Sequence, residues 1–150
     1  MSAETTGVHT WVVLWKAAHA VSQSARKHIE SLELCFSDFA VLEVLLHKGP
    51  LPVNSIGSKV LLTSGSVTTA VDRLEQRGLV ERANDASDRR TRIVHLTREG
   101  RKLIGSAFTK HAQVMEQVFT PLSGNERTQL VRLLKKVGQH AETLNQGGVT

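Results

Sequence analysis

A single cysteine, Cys35, is all the thiol chemistry that the 150 residues offer. It permits no intramolecular disulfide and no paired-cysteine metal site, so the chain is either indifferent to redox conditions or carries one reactive thiol. No apolar run approaches the roughly 18 residues that a membrane-spanning helix requires. Residues 1 to 10 also lack a basic stretch followed by an apolar one, so a cytoplasmic chain with no membrane partner is expected. Enzyme signatures are missing as well. There is no GxSxG, no P-loop, no GxGxxG after a strand, and no Cys-His or paired-carboxylate arrangement, which argues against catalysis and against a cofactor. The histidines, at 9, 19, 28, 47, 95, 111 and 140, form no HxxxH or HxxE pair on one helical face, so no metal site is expected. No internal repeat or low-complexity tract occurs.

What is present is an ordinary globular composition, 40% hydrophobic and 22% charged. A chain of this length can bury roughly 68–70% of its unfolded surface and needs no staples. The net charge is +5 and the pI about 9.8, which suits a polyanionic partner. The excess is local: Arg73 to Lys102 holds nine Lys or Arg against five Asp or Glu. Its densest part, Asp88-Arg89-Arg90-Thr91-Arg92, falls between two β-like runs, on a loop tip and its shoulder.

Hydrophobic spacing supplies the elements. Trp11, Leu14, Trp15, Ala18, Ala25, Ile29 and Leu32 follow one helical face, predicting a long first helix. Ser37 can cap a second helix, apolar nearly all round from Phe39 to Leu46 and stopped by Gly49-Pro50. A short helix follows with Val53, Ile56 and Val60 inward. The period breaks at Leu62-Thr63-Ser64-Gly65 and restarts at Val67, Ala70, Val71 and Leu74, giving a helix-turn-helix. Gly78 takes the place of a left-handed glycine that closes this helix. Leu79 to Arg82 and Arg92 to Leu96 read as two strands of a β-hairpin wing. Thr97 caps a helix carrying a stripe from Leu103 to Val118, and Ser123 with Glu126 forms a capping box that opens a last helix from Leu130 to Leu144. Few partners remain within the chain to cover those two stripes. The expected fold class is mainly α (α+β winged helix), with six helices and a two-stranded β-hairpin wing.

A helix-turn-helix followed at once by a basic hairpin is the layout that places one helix in the major groove of DNA and a wing against the backbone or minor groove. The recognition helix runs from about Ser64 to Arg77. It offers Ser64, Ser66, Thr68, Thr69, Arg73 and Arg77, and the wing adds Asp88, Arg89, Arg90 and Arg92. The hydroxyl run also fits helix capping plus a solvated face.

The stretch Leu61 to Val80 (LLTSGSVTTAVDRLEQRGLV), then Asp88-Arg89-Arg90 and Leu96-Thr97-Arg98-Glu99-Gly100, resembles the MarR family of bacterial transcription regulators. The resemblance spans nearly the whole chain and implies one MarR-like domain over 1–150, with a winged-helix DNA-binding region at about 37–97. It further implies a homodimer on a palindromic operator in double-stranded DNA, interlocked through helices at about 8–34 and 98–146. Arg90 matches the wing arginine that enters the minor groove, and Asp88 the acid that orients it and pairs with Arg73. Thr69 stands where many members carry Arg or Lys. The runs Ser37 to Glu43, His47-Lys48-Gly49 and Ile56 to Leu62 are similar to members that respond to hydroquinones and related phenolics, which implies a repressor released by a small aromatic effector. For such a ligand the candidate residues are Trp11, Trp15, His19, Cys35 and Phe39, although the two tryptophans fit a dimer core equally. The alternatives are a thiol-based redox-sensing repressor using Cys35, which the acidic neighbours Glu30, Glu33 and Asp38 disfavour, and a winged helix that binds another protein.

Overall fold

The computed structural model describes residues 5–148, and its backbone follows the predicted order with one strand added. Helix α1 spans Gly7–Ser31, α2 Phe36–Lys48, α3 Val53–Val60, α4 Ser64–Gln76, α5 Arg98–Val118 and α6 Gly124–Gln146. Strands β1 (Leu51–Pro52), β2 (Val80–Asn84) and β3 (Arg92–Leu96) form one antiparallel sheet in the order β1-β3-β2. The β2–β3 hairpin is the expected two-stranded wing, and β1 adds a third strand to its sheet. Leu51 pairs with Val94 and Pro52 with Ile93, and Pro52 is tolerated because β1 is an edge. No helix is long and apolar enough to cross a membrane among the described residues.

Two compact units divide the chain, Met1–Val114 and Met115–Thr150. The first holds a core in which Val41, Leu42 and Leu45 of α2 meet Ile56 of α3, Val67, Val71 and Leu74 of α4, Val94 of β3 and Ile104 of α5. The spacing of 3 and 4 along α4 puts its apolar residues inward and leaves Ser64, Ser66, Thr68 and Thr69 exposed. Only Ile29 of α1 is buried, while Trp11 and Trp15 are 62% and 61% exposed. In the second unit the capping box of Ser123 and Glu126 starts α6, none of whose residues is buried.

Caps fix the boundaries, with one correction. Thr6, Thr63 and Ser123 cap α1, α4 and α6 through their hydroxyls. Ser37 does not cap α2: the N-cap is Cys35, which makes no side-chain cap bond, and Ser37 lies one residue inside the helix. Its hydroxyl instead accepts from Arg73. Gly78 adopts φ +71, in the left-handed region only glycine enters freely, and turns the chain from α4 into β2. Thr97 then ties three elements: its N–H donates to the Leu79 carbonyl, its hydroxyl donates to the Gly78 carbonyl, and its Oγ1 accepts from the Gly100 N–H at 3.0 Å.

One pairing in this unit makes stability depend on pH. His28 of α1 and His111 of α5 face each other with Nδ1 to Nδ1 3.2 Å, and the Phe39 ring sits 4.9 Å from His111. Only one ring can donate, so the contact exists while at least one imidazole is neutral. Burial, and then the neighbouring His28, hold the His111 pKa below its ordinary value of 6.5. The unfolded chain thus binds the proton more readily, and stability falls as pH drops through the ordinary range and levels off below the depressed value. Thermal unfolding between pH 7 and pH 5 is expected to show a steeper fall for the wild type than for His111→Gln, and parallel curves would rule this out.

Candidate nucleic-acid interface

The exposed face of α4 and the wing loop share one side of a cleft. A hollow of about 380 Å³ is lined by Thr68 of α4, Val53 and Asn54 of α3, and Arg82, Arg90, Thr91 and Arg92 of the wing. Five of these side chains come from α4 and the wing, the elements predicted to touch DNA, and three of the five are guanidinium groups. The sum is a concave, positively charged seat beside a helix.

The loop between β2 and β3 holds its shape through two aspartates. Asp85 Oδ1 accepts from both the N–H and the hydroxyl of Ser87, and those bonds hold its pKa below the usual value. Asp88 Oδ1 accepts from the Arg90 N–H at 2.9 Å, and Oδ2 accepts from the Thr91 hydroxyl at 3.2 Å. Asp88 thus orients Arg90 through its backbone, while Arg89 and Arg90 stay exposed at the tip. The expected pairing of Asp88 with Arg73 is not found. Arg73 points the other way, its Nη2 donating to Asp38 Oδ1 at 2.7 Å, to Ser37 Oγ at 3.2 Å and to Cys35 Sγ at 3.3 Å. Asp38 is buried, its side chain 5% exposed against 43% for Arg73. Its bond to Arg73 raises the guanidinium pKa above its ordinary value.

Asp38 is a residue the sequence reading missed in this role, because its partner lies 35 residues away and no local spacing announces it. Arg82 is a second. Its Nη2 lies 2.6 Å from Asp72 and its Nη1 3.1 Å from Glu75, while its backbone N–H donates to Glu75 Oε2. Asp72 and Glu75 are three apart on α4, so both reach one guanidinium. The wing is thereby braced to the recognition helix, and the signal that could have found the brace is a pair of acids at i and i+3 on the helix with an arginine in the strand that follows.

The five residues expected to hold a ligand are not brought together. Trp11 and Trp15 stack with centroids 6.2 Å apart on exposed α1, and Trp15 lines a hollow of about 180 Å³ with Lys16 and His19. Phe39 is 2% exposed, packed against His111, and cannot line an open pocket. Cys35 is exposed, but against Arg73. The acidic sequence neighbours of Cys35 were thus an incomplete guide to its surroundings. Among the described residues no group of three His, Cys, Asp or Glu is placed to hold a metal ion.

Comparison with known proteins agrees with this geometry. The profile of the MarR family matches residues 37–91. HTH-type transcriptional regulator MhqR of Bacillus subtilis (strain 168) is 38% identical over 88% of this chain and 91% of its own length. Among solved structures, BpsR of Bordetella bronchiseptica, whose DNA binding is regulated by 6-hydroxynicotinic acid, is 26% identical and covers 86% of this chain and 98% of its own, with a TM-score of 0.76. AbsC of Streptomyces coelicolor, at 20% identity and a TM-score of 0.81, covers 92% of this chain and 97% of its own and shares the fold.

Proposed function

The chain belongs to the MarR family of DNA-binding transcriptional regulators, and from that membership we propose that it is an operator-binding repressor, working as a homodimer and released by a small hydroxylated aromatic. The observation that carries the DNA-binding geometry is the cleft in which Thr68 of α4 and Arg82, Arg90 and Arg92 of the wing converge. A helix in the major groove and an arginine at the tip of a hairpin in the adjacent minor groove divide the work between base edges and groove shape. Dimerisation is supported by the exposed apolar residues of α1 and α6: Val8, Trp11, Leu14, Trp15, Val131, Leu134, Val137 and Leu144 are each more than a third exposed. So much apolar side chain on long helices marks an interface. Two copies related by a two-fold axis would set half-sites about 34 Å apart.

Support for the effector comes from BpsR, whose regulator is a hydroxylated aromatic acid, and from the hollow at Trp15, where Lys16 can face an acid group and the indole an aromatic ring. Both tryptophans of the chain lie on α1, so intrinsic fluorescence reports on this helix.

One titration series tests the whole reading. Fluorescence anisotropy on duplex DNA is expected to give a steep fall of log affinity with log salt, and one complex per two chains of 16.5 kDa. Arg90→Ala is expected to weaken specific and non-specific duplexes alike, by about tenfold, the size of one charge-assisted contact. Adding 6-hydroxynicotinic acid or a hydroquinone is expected to quench the tryptophans and release DNA, with DNA weakening the ligand by the same factor. A shallow salt slope would instead favour a protein partner. Release abolished by Cys35→Ser under reducing conditions would favour the thiol reading.

A further inference from the structure

We propose that α4 reads base pairs as a hydrogen-bond acceptor and methyl bearer, with Thr68 and Thr69 selecting the exocyclic amino groups of adenine and cytosine together with the thymine methyl. This deepens the reading of α4 as the helix that enters the major groove, and rests on it.

The hydroxyl protons of α4 decide what the helix can read. A threonine hydroxyl has one proton to donate and two lone pairs to accept with. Thr68 Oγ1 spends its proton on the Ser64 carbonyl at 3.0 Å, and Thr69 Oγ1 spends its proton on the Gly65 carbonyl at 2.9 Å. Both side chains are exposed, so what they present outward is lone pairs and a methyl group. In the major groove the only donors are adenine N6 and cytosine N4, and the only methyl is that of thymine. Guanine offers N7 and O6, two acceptors, which these hydroxyls repel. Ser66 differs. Its oxygen accepts the Thr63 hydroxyl proton at 2.9 Å, leaving its own proton free to donate to a purine N7 or to thymine O4.

The usual partner of guanine is a bidentate arginine. Within α4 the one arginine is Arg73, in the last turn, and it is held on Asp38, Ser37 and Cys35 of the α2 end. Arg77 is the C-cap residue, at the far end of the helix from Thr68 and Thr69. The reading surface between them is therefore hydroxyl and methyl. Gly65 adds room, since a Cβ built there meets no atom within 4 Å, and the helix can approach the base edges closely.

The test uses a duplex enriched from a random library by the wild-type protein. In each half-site adenine is replaced singly by purine, cytosine by pyrimidin-2-one, thymine by uracil and guanine by 7-deazaguanine, and affinity is measured for wild type, Thr68→Val and Thr69→Val. Valine keeps the shape and a methyl but has no lone pairs. Removing one amino group is expected to cost the wild type about five- to tenfold at one or two positions, the worth of one hydrogen bond. The matching valine variant should be indifferent to that removal. The comparison between variants cancels the intrinsic weakening of the altered base pair. If 7-deazaguanine carries the largest loss and both valine variants respond to amine removal as the wild type does, the proposal is wrong while operator binding stands. If no sequence is enriched and no duplex is bound, the DNA-binding reading itself fails.

Discussion

Gly100→Ala is expected to cost about 3 kcal/mol or more of stability, the upper range for overpacking against an immovable neighbour. A Cβ at this position would lie 1.9 Å from the Leu79 carbonyl oxygen and 2.8 Å from its carbon. The obstacle is backbone, and it cannot swing aside. The same Leu79 carbonyl accepts from the Thr97 N–H, so moving it breaks the joint at which β2, β3 and α5 meet. Gly105, five residues along the same helix, is the control, because a Cβ there meets nothing within 4 Å. Gly105→Ala should be neutral or stabilising by about 0.5–1 kcal/mol, from helix propensity alone. Denaturant unfolding of the two variants side by side measures the contrast. Equal effects would show that the close approach over Gly100 does not exist in solution.

Arg73→Ala is expected to destabilise by about 2 kcal/mol, and by more than Asp38→Asn does. Removing one partner of a buried pair leaves the other charge unpaired, at a cost of about 3–5 kcal/mol when both are buried. Here the figure is discounted because the Arg73 side chain is 43% exposed. The asymmetry follows from burial. Without Arg73, the Asp38 carboxylate stays inside with Ser37 as its polar neighbour on the helix; without the carboxylate charge, Arg73 still reaches Ser37, Cys35 and water. Urea unfolding of both single variants and the double variant gives the order and the coupling. An Asp38→Asn protein less stable than Arg73→Ala would reverse the assignment of which group the fold depends on.

Much of this architecture was readable from local rules. The 3.6-residue spacing of Val67, Ala70, Val71 and Leu74 placed α4, the capping box at Ser123 placed α6, and Gly78 at φ +71 closed α4 where a left-handed residue was expected. What escaped was non-local or too short to carry a period. Strand β1 is two residues long and exists because Val94 and Ile93 offer it an edge. Leu61 closes α3 at φ 56 although no glycine or asparagine marks the spot, and it is 93% exposed. Ser37 reads as a cap in isolation, yet the hydroxyl is taken by an arginine from another helix. Likewise the resemblance offered Asp88 as the partner of Arg73, and the fold offers Asp38. Packing of α2 against α4 decided between them, and placing Phe39 in the core removed it from the ligand candidates.

The bracing of Arg82 between Asp72 and Glu75 has a thermodynamic consequence for binding. Its side chain is only 16% exposed, and it makes three contacts with α4 from within β2. The two parts that would touch DNA therefore share one rigid frame, with little freedom left between them to lose on association. Such a frame does not adjust to the double helix. The duplex must bring its major groove and the neighbouring minor groove to the separation the frame imposes, and it bears the bending and twisting free energy that this takes. Sequences that deform easily between the two points of contact would thus be favoured at base pairs no side chain reaches, and the rigidity of one arginine on the protein would be written into the flexibility of the DNA.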